Sequence, residues 1–552
     1  MSTPQTIINI VAGVAIDSRY RHSIYFPNRT AQLNYFGGKT VKTFPAYSYC
    51  RKNWTLKVEA SMEEARNWCY LYFRNSADGD YWFYFINDIE YRGDKTVELS
   101  LELDVIQTYM FVWDLQPCHI ERQHAEVDYY GCNQVEENLD TGELTSTISN
   151  PVQDIDELEE LCIIMLATFD PVTTGDSETM NKVLASKHND IFSGLGVFTV
   201  DSKDWSALGM KLKGYSDSGI IDGIITMFMY PKKLVNLGEY VDGKQASWSD
   251  SNVCKPVRST TAYAKTWTIS PTVFSHIRSY RCKNKKTLQY PYNFLYVSNN
   301  QGGGGIFRYE RMKNYVNSKG LEFTINMYGS YSPDATVKMV IEGYNDMGHE
   351  TAVSLGGFPT CAWNADTYKI WLAQNQSSMN LSNALAGLTI AGGVVTTVAS
   401  VATGNAIGAV GGVGAMAGGI KSIAGNLSTM KDREVQPPQA RGAYSASTNI
   451  ASGKQTFTFM QRCVTSEHAK IIDDFFTMFG YAMNHTAVPN IHARPAFTYV
   501  KTNGCTVAGF VGNADRLKIE SVFDNGITFW VNGDKIGDYE QDNPADDGGT
   551  ES

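Results

Sequence analysis

Two short patterns in the sequence resemble the active sites of hydrolases, and each lacks one required residue. His349 and Glu350 begin the zinc-protease pattern H-E-x-x-H, but Val353 stands where the second imidazole ligand is needed. Residues 214–219 resemble the nucleophile elbow G-x-S-x-G, but Ser218 takes the place of the second glycine. Neither pattern therefore predicts catalysis, and an enzyme built from carboxylates far apart in sequence stays open.

Three further groups of residues could bind phosphate or metal ions, and their spacing argues against it. The glycines at 302–305 lack the Lys-Ser or Lys-Thr pair with which a P-loop holds phosphate. The acids of residues 154–160 lack the turn glycine of a calcium loop and are expected on the solvated face of a helix. Cys118, His119 and His124 lie close in sequence, but the chain has no C-x-x-C pair, and free thiols in a reducing cytosol are expected instead. The sequence predicts no metal ion and no cofactor.

The most unusual stretch contains no ionisable side chain. Residues 370–420, called here the charge-free segment, hold no Asp, Glu, Lys, Arg or His in 51 positions. An average chain carries about one charge in every four residues, so this gap is not a sampling accident. Within residues 386–420 there are 10 Gly and 8 Ala, interleaved with Val, Ile, Leu, Met and Thr. Charges return at Lys421, and Pro437-Pro438 follows as a stop.

Three interpretations fit the charge-free segment. A permanent transmembrane helix needs about 20 apolar residues, and the many glycines lower both helix propensity and hydrophobicity. A buried glycine-rich hairpin inside the fold is the second interpretation. The third is a membrane-active insert, sequestered in one state and exposed to lipid in another, which fits best because sequence typical of soluble domains flanks it on both sides. The side chains that would enter lipid are Leu388, Ile390, Val394, Val395, Val398, Val401, Ile407, Val410, Val413, Met416 and Ile420.

The first part of the chain is predicted to form mainly β-strands. Val97–Val105 alternates apolar and polar residues throughout, which predicts a strand with one solvated face. The aromatic run Tyr81–Ile86 predicts a buried strand. Ile7–Ile16 predicts the first strand, because no basic residue precedes this apolar run as one would in a secretory signal. Residues 61–72 begin with a capping box and are predicted to form a helix.

The middle of the chain and the region after it give three clear predictions. Cys162–Phe169 is an apolar strand candidate, and the turn-rich stretch Asn299–Gly305 predicts a hairpin or loop tip. Residues 471–479 place Ile and Phe side chains on one helical face, and Gly480 is well placed to end that helix.

The end of the chain is predicted to be a hairpin followed by a tail. Residues 516–520 alternate polar and apolar side chains, which predicts a strand. Asn525-Gly526 would then form the turn into a second strand at 527–531. Residues 538–552 carry six acids and no bases and are expected to form a mobile tail.

The overall composition indicates a folded, acidic and mainly β protein of several domains. The 552 residues include 25 Phe, 31 Tyr and 10 Trp, which excludes disorder of the whole chain. Aromatic residues at 12% and 48 Gly favour β-structure with many turns. With 47 Lys and Arg against 58 Asp and Glu, the net charge is −11. Such a chain is not expected to grip a nucleic-acid backbone, although it could enclose DNA.

Ordered motifs at both ends of the chain, together with the charge-free segment between them, resemble those of one protein family. Residues 126–365 hold no such motif. The motifs are Trp82-Phe83-Tyr84, Asp88-Ile89-Glu90-Tyr91, Leu103–Phe111, Ile120–His124, Gln436–Gln439, Arg494–Val500 with Cys505, and Phe523–Trp530. In these motifs the chain resembles the tail knob (distal tail tube) proteins of phi29-like short-tailed bacteriophages, which infect Gram-positive bacteria.

The resemblance implies a virion structural protein rather than an enzyme. It implies a homohexameric tube at the distal end of the tail, synthesised in the host cytoplasm and joined to the upper tail tube and collar proteins. Genomic double-stranded DNA would pass through the lumen without specific binding, and six acidic chains would let it slide. Hydrophobic loops, one per subunit, would plug the lumen before infection and then penetrate the host cytoplasmic membrane. Host cell-wall carbohydrate is a further candidate partner.

The resemblance also implies a fold class and a division of the chain. The fold class is mainly β with some α (α+β), with β-barrel-like tube domains forming a hexameric ring, an inserted outer knob domain and a hydrophobic loop in the lumen. The predicted regions are a first tube part at 1–125, the outer knob at 126–365, the plug loop at 366–439, a second tube part at 440–537 and the acidic tail at 538–552.

Two other classes of function stay open at this point. One is a receptor-binding adhesin at the tail tip, in which Trp205, Trp248 and Trp267 would stack on sugars, although packing in a core is the commoner role of such residues. The other is a tail-associated cell-wall hydrolase, which would turn over purified peptidoglycan.

Overall fold

A computed structural model provides the coordinates of the chain. The structure describes residues 6–47, 55–75, 79–147, 160–172, 186–188, 191–193, 195–217, 223–312, 320–330, 336–344, 352–356, 360–362, 444–445 and 457–546. The charge-free segment therefore lies outside the described residues, as do most of the predicted acidic helix at 154–160 and the last residues of the predicted tail.

The described residues are mainly β, as predicted. The helices are α1 (Arg29–Gly38), α2 (Met62–Ala65), α3 (Val105–Tyr109), α4 (Trp205–Asp217), α5 (Ser466–Phe479) and α6 (Asn513–Asn525). The first strands are β1 (Thr6–Ala12), β2 (His22–Ile24), β3 (Thr40–Tyr47), β4 (Thr55–Glu59), β5 (Trp68–Arg74), β6 (Trp82–Gly93), β7 (Thr96–Leu103), β8 (Trp113–Leu115), β9 (Cys118–Gln123) and β10 (Leu144–Thr147).

The remaining strands follow in chain order. The next are β11 (Leu161–Ala167), β12 (Ser186–His188), β13 (Ile191–Ser193), β14 (Gly196–Asp201), β15 (Ile224–Pro231), β16 (Val235–Leu237), β17 (Cys254–Thr260), β18 (Tyr263–Ile269), β19 (His276–Ile277), β20 (Tyr280–Arg281), β21 (Asn293–Ser298) and β22 (Gly304–Phe307). The last are β23 (Leu321–Gly329), β24 (Val337–Ile341), β25 (Ala352–Leu355), β26 (Thr360–Ala362), β27 (Tyr444–Ser445), β28 (Thr458–Val464), β29 (Tyr481–Ala487), β30 (Phe497–Asn503), β31 (Val507–Gly509) and β32 (Ile527–Trp530).

The chain forms two compact units. Unit 1 comprises residues 1–143, 275–289 and 464–552, and unit 2 comprises residues 144–274 and 290–463. The ends of the chain thus share one unit and its middle forms the other. The observed divisions at 143 and 464 differ from the predicted ones at 125 and 440, and the return of 275–289 to unit 1 was not predicted. The names tube and knob stay predictions for these units.

The first sheet of unit 1 has six strands in the order β3-β1-β5-β6-β7-β4. Its first and last strands meet through side chains, because Tyr47 Oη donates to the Lys57 carbonyl and Lys42 Nζ donates to the Glu59 carbonyl. The sheet therefore curls and its edges are covered, which protects exposed strand backbone from wrong pairing. Phe36 of α1 fills the interior and stacks on Tyr70 with ring centroids 5.0 Å apart.

The second sheet of unit 1 has five strands in the order β2-β32-β30-β9-β29. Strand β32 pairs in parallel with β2 and antiparallel with β30, so the sheet joins the two ends of the chain. Helix α5 begins at the capping residue Thr465 and ends at Gly480, whose φ of 64° suits a residue without a side chain. The predicted helix at 471–479 and its glycine cap are confirmed, although Ile471 is 65% exposed and does not share the buried face.

Unit 2 contains a seven-stranded sheet in the order β16-β17-β14-β11-β15-β26-β27. Strand β11 is buried on both faces, which explains its continuous apolar sequence and confirms the strand predicted at 162–169. Leu208 and Tyr215 of α4 pack in the same apolar cluster. Four-stranded sheets run in the orders β10-β28-β21-β22 and β18-β23-β24-β25. Strands β21 and β22 pair as the hairpin predicted around Asn299–Gly305.

Two predictions in the first part of the chain need correction. The alternating strand is confirmed as β7, but it ends at Leu103, and Val105 is the first residue of α3, because Asp104 turns the chain and caps that helix. One half of the capping box is present, since Ser61 Oγ accepts from the Glu64 amide, while the Glu64 carboxylate accepts from Lys42 Nζ. The helix ends after one turn, however, and residues 68–74 form β5, where a run of large aromatic side chains favours a strand.

Three predictions near the end of the chain are wrong. Residues 516–520 lie in α6 and not in a strand. Gly526 ends that helix with a φ of 90°, so Asn525-Gly526 is not the turn of a hairpin, although the strand that follows is confirmed as β32. Residues 538–546 are not a free tail, because Asn543 accepts from the Ala496 amide at 2.9 Å and Tyr539 packs edge-on against Trp530.

Candidate functional site

The two strands that flank the charge-free segment, β26 and β27, are paired with each other. Residues 363–443 connect β26 to β27, and these two strands pair antiparallel with Thr360 opposite Ser445 and Cys361 opposite Tyr444. The two points at which this stretch joins the described residues therefore lie side by side and are called its base. Strand β27 is the last strand of the seven-stranded sheet, so the base lies at a sheet edge.

The base is attached to a buried part of unit 2. Strand β26 pairs with β15, with Thr360 opposite Phe228 and Cys361 opposite Met227. Strand β15 is buried along most of its length and pairs in turn with β11 at the centre of the sheet. An insertion that is attached to buried, paired strands can change in length or environment without disturbing the sheet, because closing a longer loop costs little more free energy.

The eleven predicted membrane-active side chains all lie outside the described residues. These are Leu388, Ile390, Val394, Val395, Val398, Val401, Ile407, Val410, Val413, Met416 and Ile420. Among the helices that the structure does describe, none combines the length and the apolar sequence needed to cross a bilayer.

The predicted absence of a metal site near Cys118 can be compared with the geometry. Cys118 is buried at the start of β9, His119 on the same strand is exposed, and His124 is buried. The Nδ1 atom of His124 accepts from the Tyr499 amide at 2.7 Å, and its Nε2–H donates to the Thr477 carbonyl at 3.1 Å. Both ring nitrogens are thus occupied, and no group of three possible ligands occurs in the described residues.

The patterns that resemble enzyme sites fall in different places. Residues 345–351, with His349 and Glu350, lie outside the described residues, and so do 218–222 after the end of α4. Gly302 and Gly303 lie in the turn of the β21–β22 hairpin, where the Asn299 side chain accepts from the Gly303 amide at 2.9 Å, and Gly304 and Gly305 begin β22. That glycine run is therefore part of a hairpin.

Of the three tryptophans considered for sugar stacking, the structure describes the side chains of Trp267 and Trp248. Trp267 is buried, with Phe459 edge-on at 4.5 Å and Phe323 at 6.2 Å between ring centroids. Trp248 is half-buried, and Lys232 Nζ lies 4.8 Å from its ring centroid. The side chain of Trp205 lies outside the described set. Trp267 is a core residue, so it is not available to a carbohydrate.

The motif residues of the first part of the chain hold α3 between strands. Asp104 Oδ1 accepts from the Gln107 amide at 3.1 Å, and Asp104 Oδ2 accepts from Tyr70 Oη at 2.8 Å. The Gln107 side-chain amide donates to the Ile24 carbonyl at 2.8 Å, which ties α3 to β2. These side chains are buried and fully bonded, so they position the two sheets and do not present chemistry to solvent.

The motif residues near the end of the chain have the same role. Arg494 Nε donates to the Ala125 carbonyl at 2.6 Å, and Arg494 Nη1 donates to the Asn543 carbonyl at 3.1 Å. Phe497 stacks against Trp530 with ring centroids 4.7 Å apart. One arginine thus joins three segments that are distant in sequence.

Two family models match the chain. Residues 257–544 match the C-terminal domain of the tail knob protein gp9 of Bacillus phage phi29, and residues 4–114 match the N-terminus of caudoviral major tail proteins. The first match covers more than half of the chain. The chain belongs to the phi29 gp9 tail knob family. This confirms the resemblance inferred from the motifs, and it makes the protein a structural component of a phage tail.

Relatives and a solved structure agree with this family. The tail knob proteins gp9 of Bacillus phages B103 and phi29 are 23% and 22% identical, and each alignment covers 98% of both chains. The tail knob protein gp12 of bacteriophage C1 has a similar structure, with a TM-score of 0.62 at 12% identity over 98% of this chain and 100% of that one. The structural likeness concerns the fold alone.

One buried aspartate of this tail knob protein has a structural role that the sequence analysis did not predict. Asp473 of α5 is fully buried, and its carboxylate binds residues of the 275–289 stretch. Its oxygens accept from the Lys283 amide at 2.7 Å, the Asn284 amide at 3.0 Å and the Thr287 hydroxyl at 2.9 Å. Tyr280 Oη donates to the same carboxylate at 2.9 Å. The sequence gives one signal for this role, because Asp473 falls between buried residues of an amphipathic helix.

A second buried acid holds the same stretch. Glu137 forms ion pairs with Lys286 and with Arg122, and it also accepts from the Ala482 amide at 2.8 Å. Burial lowers the pKa of Lys286, while Glu137 opposes that effect. The stretch is therefore held within unit 1 by acids from separate elements, and no local sequence pattern indicates that these residues meet.

Proposed function

We propose that this chain assembles as a homohexamer into the distal tube and knob of a phage tail and conducts genomic double-stranded DNA during ejection. Membership of the tail knob family supports the place in the virion. The net charge of −11 per chain supports the conducting role, because a strongly acidic tube holds DNA weakly and lets it slide. Upper tail tube and collar proteins are the expected neighbours in the virion.

We further propose that the charge-free segment plugs the lumen and later penetrates the host cytoplasmic membrane. The observation that carries this proposal is the pairing of β26 with β27, which makes residues 363–443 one insertion with both ends at a single sheet edge. An insertion of this kind can move as a loop while the sheet keeps its strands. Its 51 residues without an ionisable side chain are suited to lipid, since charges near the bilayer centre are costly.

Native mass spectrometry tests the assembly. Six copies are expected in a closed ring, because a ring covers strand edges and apolar faces that an isolated subunit would expose. The measurement is made on the purified full chain at micromolar concentration without DNA. A stable monomer under these conditions contradicts the hexamer and, with it, the tube.

Liposome flotation tests the membrane role. The full chain and a deletion of residues 386–420 are mixed with liposomes in mild acid, which protonates carboxylates and weakens native interactions. The full chain is expected to float with the lipid, and the deletion variant is expected to stay in the dense fraction. The membrane role fails if both proteins float equally, and the tube proposal is unaffected by that result.

The other classes of function receive no support from the described residues. The buried position of Trp267 removes one of the side chains on which an adhesin would depend. The relatives are named as tail knob proteins, which agrees with a structural role rather than with cell-wall hydrolysis.

A further inference from the structure

His124 connects three elements of unit 1. It follows the last residue of β9, and its backbone amide donates to the Tyr499 carbonyl at 3.1 Å. Its ring is 3% exposed and takes part in bonds to β30 and to the last turn of α5, through Tyr499 and Thr477. The joint is tightly packed, because a side-chain carbon at Gly480 would lie 2.3 Å from the Gln123 carbonyl.

The two ring nitrogens of His124 have opposite roles. Nδ1 is an acceptor, since it faces the N–H of Tyr499, and Nε2 carries the proton that it donates to the Thr477 carbonyl. A protonated imidazole has two N–H donors and no acceptor. The imidazolium would therefore place its Nδ1–H against the N–H of Tyr499, and the ring cannot keep both hydrogen bonds.

The surroundings of His124 do not favour a positive charge. Arg494, which precedes β30, is the charged group that acts on the ring, and it also acts on Asp128, where it opposes the rise in pKa that burial causes. Asp473 lies on α5, but its carboxylate is bound to the 283–287 residues. Phe497 of β30 covers one side of the ring, with centroids 5.6 Å apart. Burial and Arg494 lower the pKa of His124 to about 3.

We propose that His124 is an acid-sensitive latch that joins the end of α5 to β30 only while its imidazole is neutral. Protonation breaks the bond to the Tyr499 amide and forces the ring out of its buried position. Once the His124 ring has left this position, the end of α5 is freed, and α5 is the helix that begins two residues after β28. This inference concerns unit 1 alone and does not depend on the membrane proposal.

The direction of the pH effect follows from the lowered pKa. A histidine that stays neutral in the folded chain but protonates when unfolded contributes stability above its ordinary pKa of about 6.5, and that stability is lost as the pH falls. Unfolding in mild acid thus takes up about one proton at this residue.

Thermal unfolding of the full chain between about pH 6.5 and pH 4.5 tests the latch. Over this range the unfolding midpoint of the wild type is expected to fall relative to that of His124→Gln, which cannot take up the proton. His119→Gln changes an exposed histidine of β9, and its midpoint should change as much as that of the wild type. Equal changes in the wild type and His124→Gln would overturn the proposal.

A second measurement needs no variant, so it applies even if His124→Gln does not fold. Exchange of the imidazole C2 hydrogen, followed by mass spectrometry of the wild-type peptides, reports the pKa of each histidine. A midpoint for His124 below about 4.5 is expected from a ring that is bonded through both nitrogens. A higher midpoint would show that the bonds to Tyr499 and Thr477 do not keep the ring neutral in mild acid, and the latch would be wrong.

Discussion

The two units of the chain differ in what fills their interiors. Unit 1 buries five acids among its described residues, and each has hydrogen-bond or ion-pair partners; they are Asp104, Asp128, Glu137, Asp473 and Asp515. The seven-stranded sheet of unit 2 packs mainly through apolar side chains, such as Met165, Phe169 and Tyr215. Its buried acid Asp201 pairs with Lys232 at 2.8 Å.

This difference explains why all the family motifs except Gln436–Gln439 lie in unit 1. A buried carboxylate or amide requires a partner of the right type at the right distance, so its position is strongly constrained. An apolar interior accepts many combinations of similar volume and therefore leaves a weaker signature in sequence. The motif residues Asp104, Gln107 and Arg494 all belong to the first kind. A recognisable motif thus indicates a constrained geometry here.

The largest expected effect is the loss of a buried acid from unit 1. Asp473→Asn keeps the shape of the side chain but sets an amide N–H₂ against N–H and O–H donors. We expect a loss of about 3–5 kcal/mol in the free energy of unfolding, because a buried hydrogen-bonded charge is replaced by an unsatisfied group. Denaturant unfolding of the wild type and of Asp473→Asn measures this loss. Asp474→Asn is the matched control on the same helix and should cost below about 1 kcal/mol; similar losses in both variants would contradict the role of Asp473.

A second effect depends on pH and concerns Asp104. Burial raises its pKa to about 6, above the ordinary 3.8 of an aspartate. Its contribution to stability is therefore present below pH 3.8 and is lost as the pH rises through 6. The difference corresponds to about 3 kcal/mol at neutral pH. Between these limits the free energy of unfolding of the wild type, taken relative to that of Asp104→Asn, should decline as the pH rises. A constant difference between the two proteins would assign the effect to another group.

The smallest effect is expected from deleting residues 386–420, which should leave the fold unchanged. The insertion keeps its base on β26 and β27, and shortening it changes the closure free energy by about 0.5 kcal/mol. Thermal unfolding and hexamer content should thus match those of the full chain. If the deletion unfolds unit 2, the segment is a buried hairpin, which was the second interpretation of the sequence.

Much of the fold could be predicted where a pattern extends over a whole element. The alternation of residues 97–103 and the apolar run of 162–167 were sufficient for β7 and β11. The strand predicted at 516–520 was wrong, because a window of five residues is too short to distinguish the two-residue period of a strand from the 3.6-residue period of a helix. Ile519, Val522 and Phe523 are buried together, and this helical spacing becomes visible only over the longer window.

The site was predictable in part. The charge-free segment and the family could be inferred from composition and motifs, because both signals lie along the chain. The roles of Asp473 and His124 could not, since their partners are distant in sequence. Asp473 binds Asn284, 189 residues away, and His124 binds Tyr499, 375 residues away. Only the fold brings such residues together, and no local pattern names their partners.

The central claim is that the charge-free segment enters lipid, and dye leakage from liposomes in mild acid tests it most directly. Val398→Lys and Val410→Lys place a charge inside the segment, whereas Ser422→Lys adds the same charge beside Lys421, outside it. A central lysine costs about 2.5–3.5 kcal/mol per inserted segment, so six copies cost roughly 15–20 kcal/mol. At matched hexamer content we expect leakage from the wild type and Ser422→Lys and little from the other two. Equal leakage from all four proteins would show that the segment does not enter the membrane.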